Sequence, residues 1–85
     1  MAPFDVTFVE PIEHLRLRVG FVDGLRGDVV LKESHLYGVF AALKDPQIFE
    51  MVCCNNGYVE WPGDIDLAPD AMYEAIKAHG IWTLE

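Results

Sequence analysis

The chain has 85 residues, enough for one domain and too few for two. Hydrophobic residues make up 52% and charged residues 24%, a balance that indicates a folded globular chain and excludes a disordered or collagen-like one. No apolar run approaches the roughly 20 residues of a membrane-spanning helix. Residues 1–5 show neither the basic stretch nor the apolar core of a signal peptide, so we expect a single cytoplasmic domain over residues 1–85.

Negative charge is concentrated in the second half of the chain. Fourteen acids and six bases give a formal charge of −8. Residues 1–44 hold six acids and five bases, a net of −1, whereas residues 45–85 hold eight acids and one base, a net of −7. Such a field repels phosphate backbones and attracts basic proteins, so we do not expect autonomous nucleic-acid binding. A solvated surface that keeps the protein soluble is the alternative interpretation.

Three strands are predicted in the first third of the chain. The β-branched and aromatic residues of 4–10 predict a strand that ends at Pro11. Apolar and polar residues then alternate from His14 onward, and Asp23-Gly24 is typical of a hairpin turn. The return strand is predicted over 25–31, with a β-bulge at its glycine, Gly27.

A helix and a short turn are predicted next. Ser34 is expected to cap a helix that runs to Lys44, because apolar residues recur there at helical spacing. A short helical turn is predicted to begin at Asp45-Pro46, a capping residue followed by a proline, and to end near Phe49.

The last third of the chain predicts a second hairpin and a second helix. Residues 51–54 and 58–61 are expected to pair around an Asn-Asn-Gly turn. The final helix is predicted to begin at Pro69 and to end at Gly80, after which residues 81–82 fold back onto the core.

These elements follow the order β-β-β-α-β-β-α. The order predicts an α+β domain, with a mostly antiparallel sheet and two helices packed on one face. The core of so short a chain is small, and dimerisation is a plausible supplement to its stability.

No pattern typical of catalysis or cofactor binding is present. The histidines lack the paired spacing of zinc ligands. Cys53 and Cys54 are neighbours that point to opposite faces of a strand, so we expect free thiols in a reducing compartment. We therefore expect no enzyme activity, no cofactor and no metal. A small enzyme or metal protein that uses a cysteine and a histidine stays open as an alternative.

An acidic cluster and a tryptophan are the candidate functional residues. The cluster lacks the glycine and the distal glutamate of a calcium-binding loop. Its ordinary explanation is that Asp66 or Asp70 caps the final helix and interacts favourably with the helix dipole. A weak site for a divalent ion also stays open. The ordinary interpretation of Trp61, which precedes Pro62, is an anchor in the core or at its rim, but tryptophan is also enriched at the hot spots of protein interfaces. We predict a partner-binding surface made of Trp61, Asp64, Asp66, Asp70 and Glu74.

A basic stripe is expected on the polar face of the second strand. It consists of His14, Arg16 and Arg18. Together with aromatic residues, such a stripe could bind RNA on an open sheet. The strongly negative chain favours the ordinary interpretation, a solvated face with cross-strand ion pairs.

Four stretches of the sequence match strings typical of one bacterial family. They are residues 17–31 (LRVGFVDG and GDVVL), 38–49 (GVFAALKD and F), 57–62 (GYVEWP) and 66–73 (DLAPDAMY). Together they resemble the domain of unknown function 2442 (DUF2442) over nearly the whole chain. The resemblance implies a small α+β domain. Residues 63–65 depart from the more usual turn that contains Asn-Gly.

The resemblance implies little about activity, because the family has none established. Some members carry a helix-turn-helix after this domain and look like transcriptional regulators, but this sequence ends at Glu85 without one, so we do not expect DNA binding. Other members are encoded beside a small protein in an arrangement that looks like a toxin–antitoxin pair. Resemblance and charge together favour a non-enzymatic, antitoxin-like module that neutralises a basic partner. A stand-alone regulatory or ligand-sensing domain is the alternative, and a homodimer is considered for either.

Overall fold

A computed structural model describes residues 4–85. Residues 1–3, on which part of the signal-peptide expectation depends, lie outside the described residues. The described strands are β1 (Val6–Glu13), β2 (Arg16–Phe21), β3 (Arg26–Leu31), β4 (Cys53–Asn55), β5 (Tyr58–Trp61), β6 (Ile65–Leu67) and β7 (Ile81–Leu84). The α-helices are α1 (Pro46–Phe49) and α2 (Pro69–His79), and neither is long and apolar enough to cross a membrane.

The described strands are divided between two sheets. The larger has the order β1-β2-β3-β7, antiparallel except for the parallel pair β3–β7. The smaller, β4-β5-β6, is antiparallel throughout. The predicted α+β class and the mostly antiparallel pairing are therefore confirmed, although the strands form two sheets rather than one. α2 packs on β3 and β7, whereas α1 packs against the helical segment that precedes it.

The prediction that the first strand ends at Pro11 is wrong. β1 continues through Pro11, which lies opposite Leu17, and the pairing with β2 shifts register between Pro11 and Glu13. β1 is an edge strand of its sheet. Proline is tolerated at edges and bulges because its missing N–H removes no bond of the central ladder.

The predicted helix from Ser34 to Lys44 is wrong in its type and continuity. Two 3-10 segments, Glu33–His35 and Gly38–Lys44, replace it. Tyr37 between them is extended and Gly38 has a φ of +59°, so the chain turns where a continuous helix would run on. Ser34 lies exposed inside the first segment, which has no side-chain cap.

The predictions for the short turn, the second hairpin and the final helix are confirmed. Asp45 caps α1, since its Oδ1 accepts the Gln47 backbone N–H at 2.9 Å. Asn56 and Gly57 join β4 to β5 with φ angles of +53° and +82°, the left-handed pair that a tight hairpin requires. α2 ends at Gly80, which has a φ of +77°.

Two strands contribute what the sequence pattern did not predict. β6 was not expected, and its three residues pair with β5 with Val59 opposite Leu67. Residues 81–82 do return to the core as expected, but as part of β7, which pairs in parallel with β3. Both strands are short and mostly apolar, and their pairing depends on the rest of the fold.

The two sheets share one core. Its buried hydrophobic side chains come from the inner faces of both sheets, from the helices and from the 3-10 region. The buried residues are Val6, Leu17, Val19, Phe21, Val29, Leu31, Leu36, Leu43, Phe49, Val59, Trp61, Ile65, Leu67, Met72 and Ile76. No polar side chain of residues 4–85 is buried among them. Val39, one of the apolar residues that recur at helical spacing before Lys44, is instead 60% exposed.

Gly27 is required for close packing of α2, and the predicted bulge at this residue is wrong. The pairing of β2 with β3 keeps one register throughout. A Cβ built on Gly27 would lie 2.5 Å from Cγ2 of Ile76 and 2.7 Å from the carbonyl oxygen of Gly80. These distances are too short for any side chain, so the glycine lets α2 and its C-terminal cap approach the sheet.

We expect Gly27→Ala to destabilise the fold by about 1–3 kcal/mol, because the added methyl group forces α2 away from β3. Urea unfolding measures the change. Gly20→Ala in β2 is the matched control, since a Cβ there would lie 3.5 Å from the nearest side-chain atom, an ordinary contact. Equal stability of the two variants would contradict this account of Gly27.

Candidate functional site

Carboxylates gather on the outer face of the small sheet. Burial alternates along β5 and β6, which places Val59, Trp61, Ile65 and Leu67 inward. Glu60 and Asp66 therefore point outward, and they lie directly opposite each other in the register. Cβ atoms of directly opposite residues in an antiparallel pair are roughly 4.5–5.5 Å apart. Two negative charges are thus held side by side.

Asp64 joins this pair through the turn between β5 and β6. It has a φ of +62° and follows Gly63 with a φ of +92°, so the turn is tight and its side chains are exposed. Asp64 and Glu60 line the same open groove, of about 340 Å³. We call Glu60, Asp64 and Asp66 the acidic hairpin. The other residues that line the groove are Met51, Cys53, Trp61, Pro62 and Gly63.

The remaining two predicted acids lie on α2. Asp70 is in the first turn and Glu74 follows one turn later, so their side chains are neighbours on the exposed helix surface. The helix is preceded by Ala68 and has no side-chain cap, so neither Asp66 nor Asp70 has the predicted capping role. Asp70 does lie in the first turn, where the helix dipole favours an acid as predicted. Asp70 Oδ1 instead accepts the backbone N–H of Ala71 at 2.9 Å. Asp70 and Glu74 form a second acidic pair, separate in the fold from the acidic hairpin.

Trp61 lies beneath the acidic hairpin rather than on its surface. It is 3% exposed and stacks at a tilt on Phe49, with ring centroids 5.8 Å apart. Its indole N–H donates to the carbonyl oxygen of Phe49 at 2.9 Å. A side chain so deeply buried offers a partner very little direct contact surface. Trp61 joins β5 to the end of α1.

Within residues 4–85, no lysine, arginine or histidine side chain forms an ion pair with the acids of the hairpin or of α2. The ion pairs within residues 4–85 are those of Arg16 and Arg18 with Asp28, at 2.6 and 3.3 Å. They confirm the predicted cross-strand pairing of the basic stripe. Glu60 accepts only a neutral hydrogen bond, from Nδ2 of Asn55 at 3.0 Å. The acidic hairpin therefore presents uncompensated negative charge.

Asp28 illustrates the opposite case, in which arginines are close by. Partial burial raises the pKa of Asp28, but hydrogen bonds from Arg16 and then Arg18 outweigh it, so that the pKa lies below its ordinary value. His14, the third member of the predicted stripe, turns away from the arginines. Its Nε2–H donates to the carbonyl oxygen of Leu43 at 3.0 Å.

The thiols and histidines of the described chain do not assemble into a site. Cys53 is exposed and Cys54 is half-buried against the core, which confirms that these free cysteines point to opposite faces. Within residues 4–85, no three His, Cys, Asp or Glu side chains are grouped closely enough to hold a metal ion. A second cleft, between the end of β1 and α1, measures about 130 Å³. Pockets for small ligands usually measure roughly 300–1,000 Å³.

Sequence reasoning missed Glu60, the acid that faces Asp66. The alternation of Tyr58, Val59, Glu60 and Trp61 could have placed Glu60 on the polar face of its strand. Its partner strand β6 was not predicted, however, and without β6 no pattern shows which residue lies opposite.

A hydrogen bond between Tyr73 and Asp23 fastens α2 to the turn after β2. The Tyr73 hydroxyl donates to Oδ2 of Asp23, and its ring meets Phe21 edge-on at 5.1 Å between centroids. The hydroxyl and then the Leu25 backbone N–H lower the pKa of Asp23. The same bond, followed by burial, raises the pKa of Tyr73.

Together, fold and surface define a small acidic α+β domain whose outer sheet face carries unpaired carboxylates. The chain belongs to the DUF2442 family: the family model described as a protein of unknown function (DUF2442) matches residues 6–78. The match includes both sheets except β7, and all of the acidic residues described above. No curated protein and no solved structure shows significant similarity to the chain.

We expect Tyr73→Phe to destabilise the protein in a pH-dependent way. The lowered pKa of Asp23 stabilises the fold above its unfolded value of 3.8, and this stability is lost as the pH falls through the folded pKa. The raised pKa of Tyr73 stabilises the fold below 10.0, and this stability is lost as the pH rises through the folded pKa.

The urea midpoint of the wild type should therefore exceed that of Tyr73→Phe most between about pH 5 and pH 9, and the gap should narrow on both sides. Tyr37→Phe, at a tyrosine that is 67% exposed, is the control. A gap that stayed constant from pH 2 to 11 would show that the hydroxyl bond does not contribute.

Proposed function

We propose that the protein is a non-enzymatic protein-binding module that neutralises a basic partner in an antitoxin-like manner. The acidic hairpin is its main contact surface, and Asp70 and Glu74 extend the negative field along α2. The proposal includes neither a catalytic residue nor a cofactor. It includes a cytoplasmic location, which the adjacent free cysteines favour.

The observation that carries the proposal is the facing pair Glu60 and Asp66. Like charges directly opposite each other destabilise an antiparallel sheet. No cation of residues 4–85 relieves this repulsion by an ion pair. A lysine or arginine of a partner placed between the two carboxylates would relieve it, so binding gains electrostatic energy that the free protein lacks.

Long-range charge supports the same proposal. Residues 45–85 carry a net charge of −7, and the acidic hairpin and α2 both belong to this half. A field of one sign steers a partner of the opposite sign and speeds their encounter. Because exposed charges are screened by salt, such binding weakens as the ionic strength rises.

Trp61 keeps a role in this proposal, although not as a direct contact. Its burial and its bond to Phe49 hold the end of β5, next to Glu60 and to the turn that carries Asp64. A binding surface on a rigid strand loses little conformational freedom when a partner docks. Trp61 thus positions the acidic hairpin from below.

The alternative, a regulatory or ligand-sensing domain, stays a prediction. The groove beside the acidic hairpin, of about 340 Å³, falls within the volume range of pockets that bind small molecules. Thermal-shift screening against a panel of metabolites tests it.

The first experiment is to tag the protein at its C-terminus, express it in its native cell and identify what co-purifies at low and at high salt. The proposal expects a small basic protein in a fixed ratio at low salt and its loss at high salt. A partner that is acidic, or that stays bound at high salt, would contradict the electrostatic mechanism.

The purified pair then allows a matched charge comparison. We expect the acidic-hairpin variant Glu60→Gln/Asp64→Asn/Asp66→Asn to bind about tenfold more weakly at low salt, since three exposed contacts of roughly 0.5 kcal/mol each are removed. Isothermal titration calorimetry measures the loss.

The control variant is Glu10→Gln/Glu13→Gln/Glu33→Gln, with three acids changed outside this surface. Each variant loses three negative charges, so each has a net charge of −5 instead of −8. Equal weakening of both variants would show that only net charge matters and would disprove a binding role for the acidic hairpin.

A further inference from the structure

The two edges of the four-stranded sheet differ in how they are protected. At the β1 edge, Pro11 interrupts the row of donors and two register shifts distort the strand. The Val6 N–H is also bonded to the Gly57 carbonyl oxygen of the neighbouring hairpin, at 3.0 Å. Prolines, bulges and covering segments are the features by which proteins keep a sheet edge from pairing with another chain.

The β7 edge has none of these features. Its residues, 81–84, have the sequence Ile-Trp-Thr-Leu, without proline, glycine or charge. They pair with residues 28–31 of β3 in one unbroken register. A regular, uncharged strand at a sheet edge is a template for a further strand.

The backbone groups that this edge presents can be assigned from the described hydrogen bonds. The carbonyl oxygens of Gly80 and Leu84 accept from Asp28 and Lys32 of the β3 side, at 3.3 and 2.8 Å. Backbone groups of successive residues point to alternate sides of a strand. The N–H and C=O groups of Ile81 and Thr83 therefore point away from β3, on the side where no other strand of residues 4–85 pairs with β7.

We propose that β7 of a second copy of this chain pairs with β7 at this edge, antiparallel and about a two-fold axis. With Trp82 on the axis, Ile81 of each copy lies opposite Thr83 of the other. Directly opposite residues that face each other exchange both of their backbone hydrogen bonds. Four bonds would form, and the two four-stranded sheets would become one sheet of eight strands.

Charge at the two ends of β7 favours a second copy as the occupant. β7 begins beside the last turn of α2, which carries Lys77 and His79. Glu85 follows the other end of β7, and its carbonyl oxygen lies 3.4 Å from Nδ1 of His35, in the 3-10 segment that also holds Glu33. Lys32 lies there too, since its N–H donates to the Leu84 carbonyl oxygen. With the histidines neutral, this end carries two acids and one base, whereas the α2 end carries one base. Antiparallel pairing brings the basic end of one copy to the acidic end of the other. The same patch serves both copies, as closed two-fold symmetry requires.

Hydrogen exchange of the wild-type protein, followed by NMR at increasing protein concentration, tests the proposal without any mutation. The amides of Trp82 and Leu84 face β3 and should be protected at every concentration. The amides of Ile81 and Thr83 should exchange rapidly when the protein is dilute and become protected as sedimentation shows dimers forming. A protein that stays monomeric, or dimers in which these two amides remain unprotected, would overturn the proposal.

Two substitutions at one position separate the backbone donor from the side chain. Thr83→Pro removes the outward N–H and should abolish the dimer. Thr83→Val keeps the N–H at nearly the same side-chain shape and should leave dimerisation unchanged. Circular dichroism checks that both variants are folded. A folded Thr83→Pro variant that still dimerises would overturn the proposal, as would protection of the two amides only when a different protein is bound.

Discussion

The whole structure depends on one constraint: two small sheets must bury their apolar faces in a single core. The strands of the smaller sheet have three or four residues, and a sheet of such strands is marginal without packing against another layer. Val59 and Leu67, on its inner face, lie in the same cluster as Leu17 and Val29 of the larger sheet. Each sheet therefore needs the other to bury its apolar face.

This shared core explains why the acidic hairpin can hold its charges together. Every second residue of β5 and β6 is buried, so the register cannot slip without moving apolar side chains into water. The bond from Trp61 to Phe49 adds a fixed contact at the base. Glu60 and Asp66 stay opposite each other because packing energy on the inner face exceeds their mutual repulsion on the outer face.

The position of α2 has a corresponding effect on the larger sheet. Gly27 lets the helix approach β3, and the Tyr73 hydroxyl attaches it to the turn at Asp23. The helix then ends at Gly80, whose left-handed conformation directs the chain into β7. β7 therefore lies beside β3, on the side away from β2, and runs parallel to it. The free edge considered for self-pairing follows from this packing of α2.

Local chemistry in the sequence was sufficient to predict the elements that depend on a few neighbouring residues. The Asp23-Gly24 and Asn56-Gly57 turns, the Asp45-Pro46 start of α1 and the Gly80 end of α2 each arise from backbone preferences of the residues themselves. The net charge of the second half, and four of the five acids discussed, were likewise evident from the sequence.

Tertiary packing decided the rest. β6 and β7 are three and four residues long, too short for their periodicity to reveal a partner strand. The helical spacing before Lys44 corresponds to two 3-10 segments, which the extended Tyr37 and the positive φ of Gly38 separate. Trp61 was predicted as an interface hot spot because tryptophan is enriched there, and it lies in the core, since only the packing of the two sheets determines which face of β5 is covered. Local sequence determines turns and ends, whereas pairing and burial depend on residues far apart in the chain.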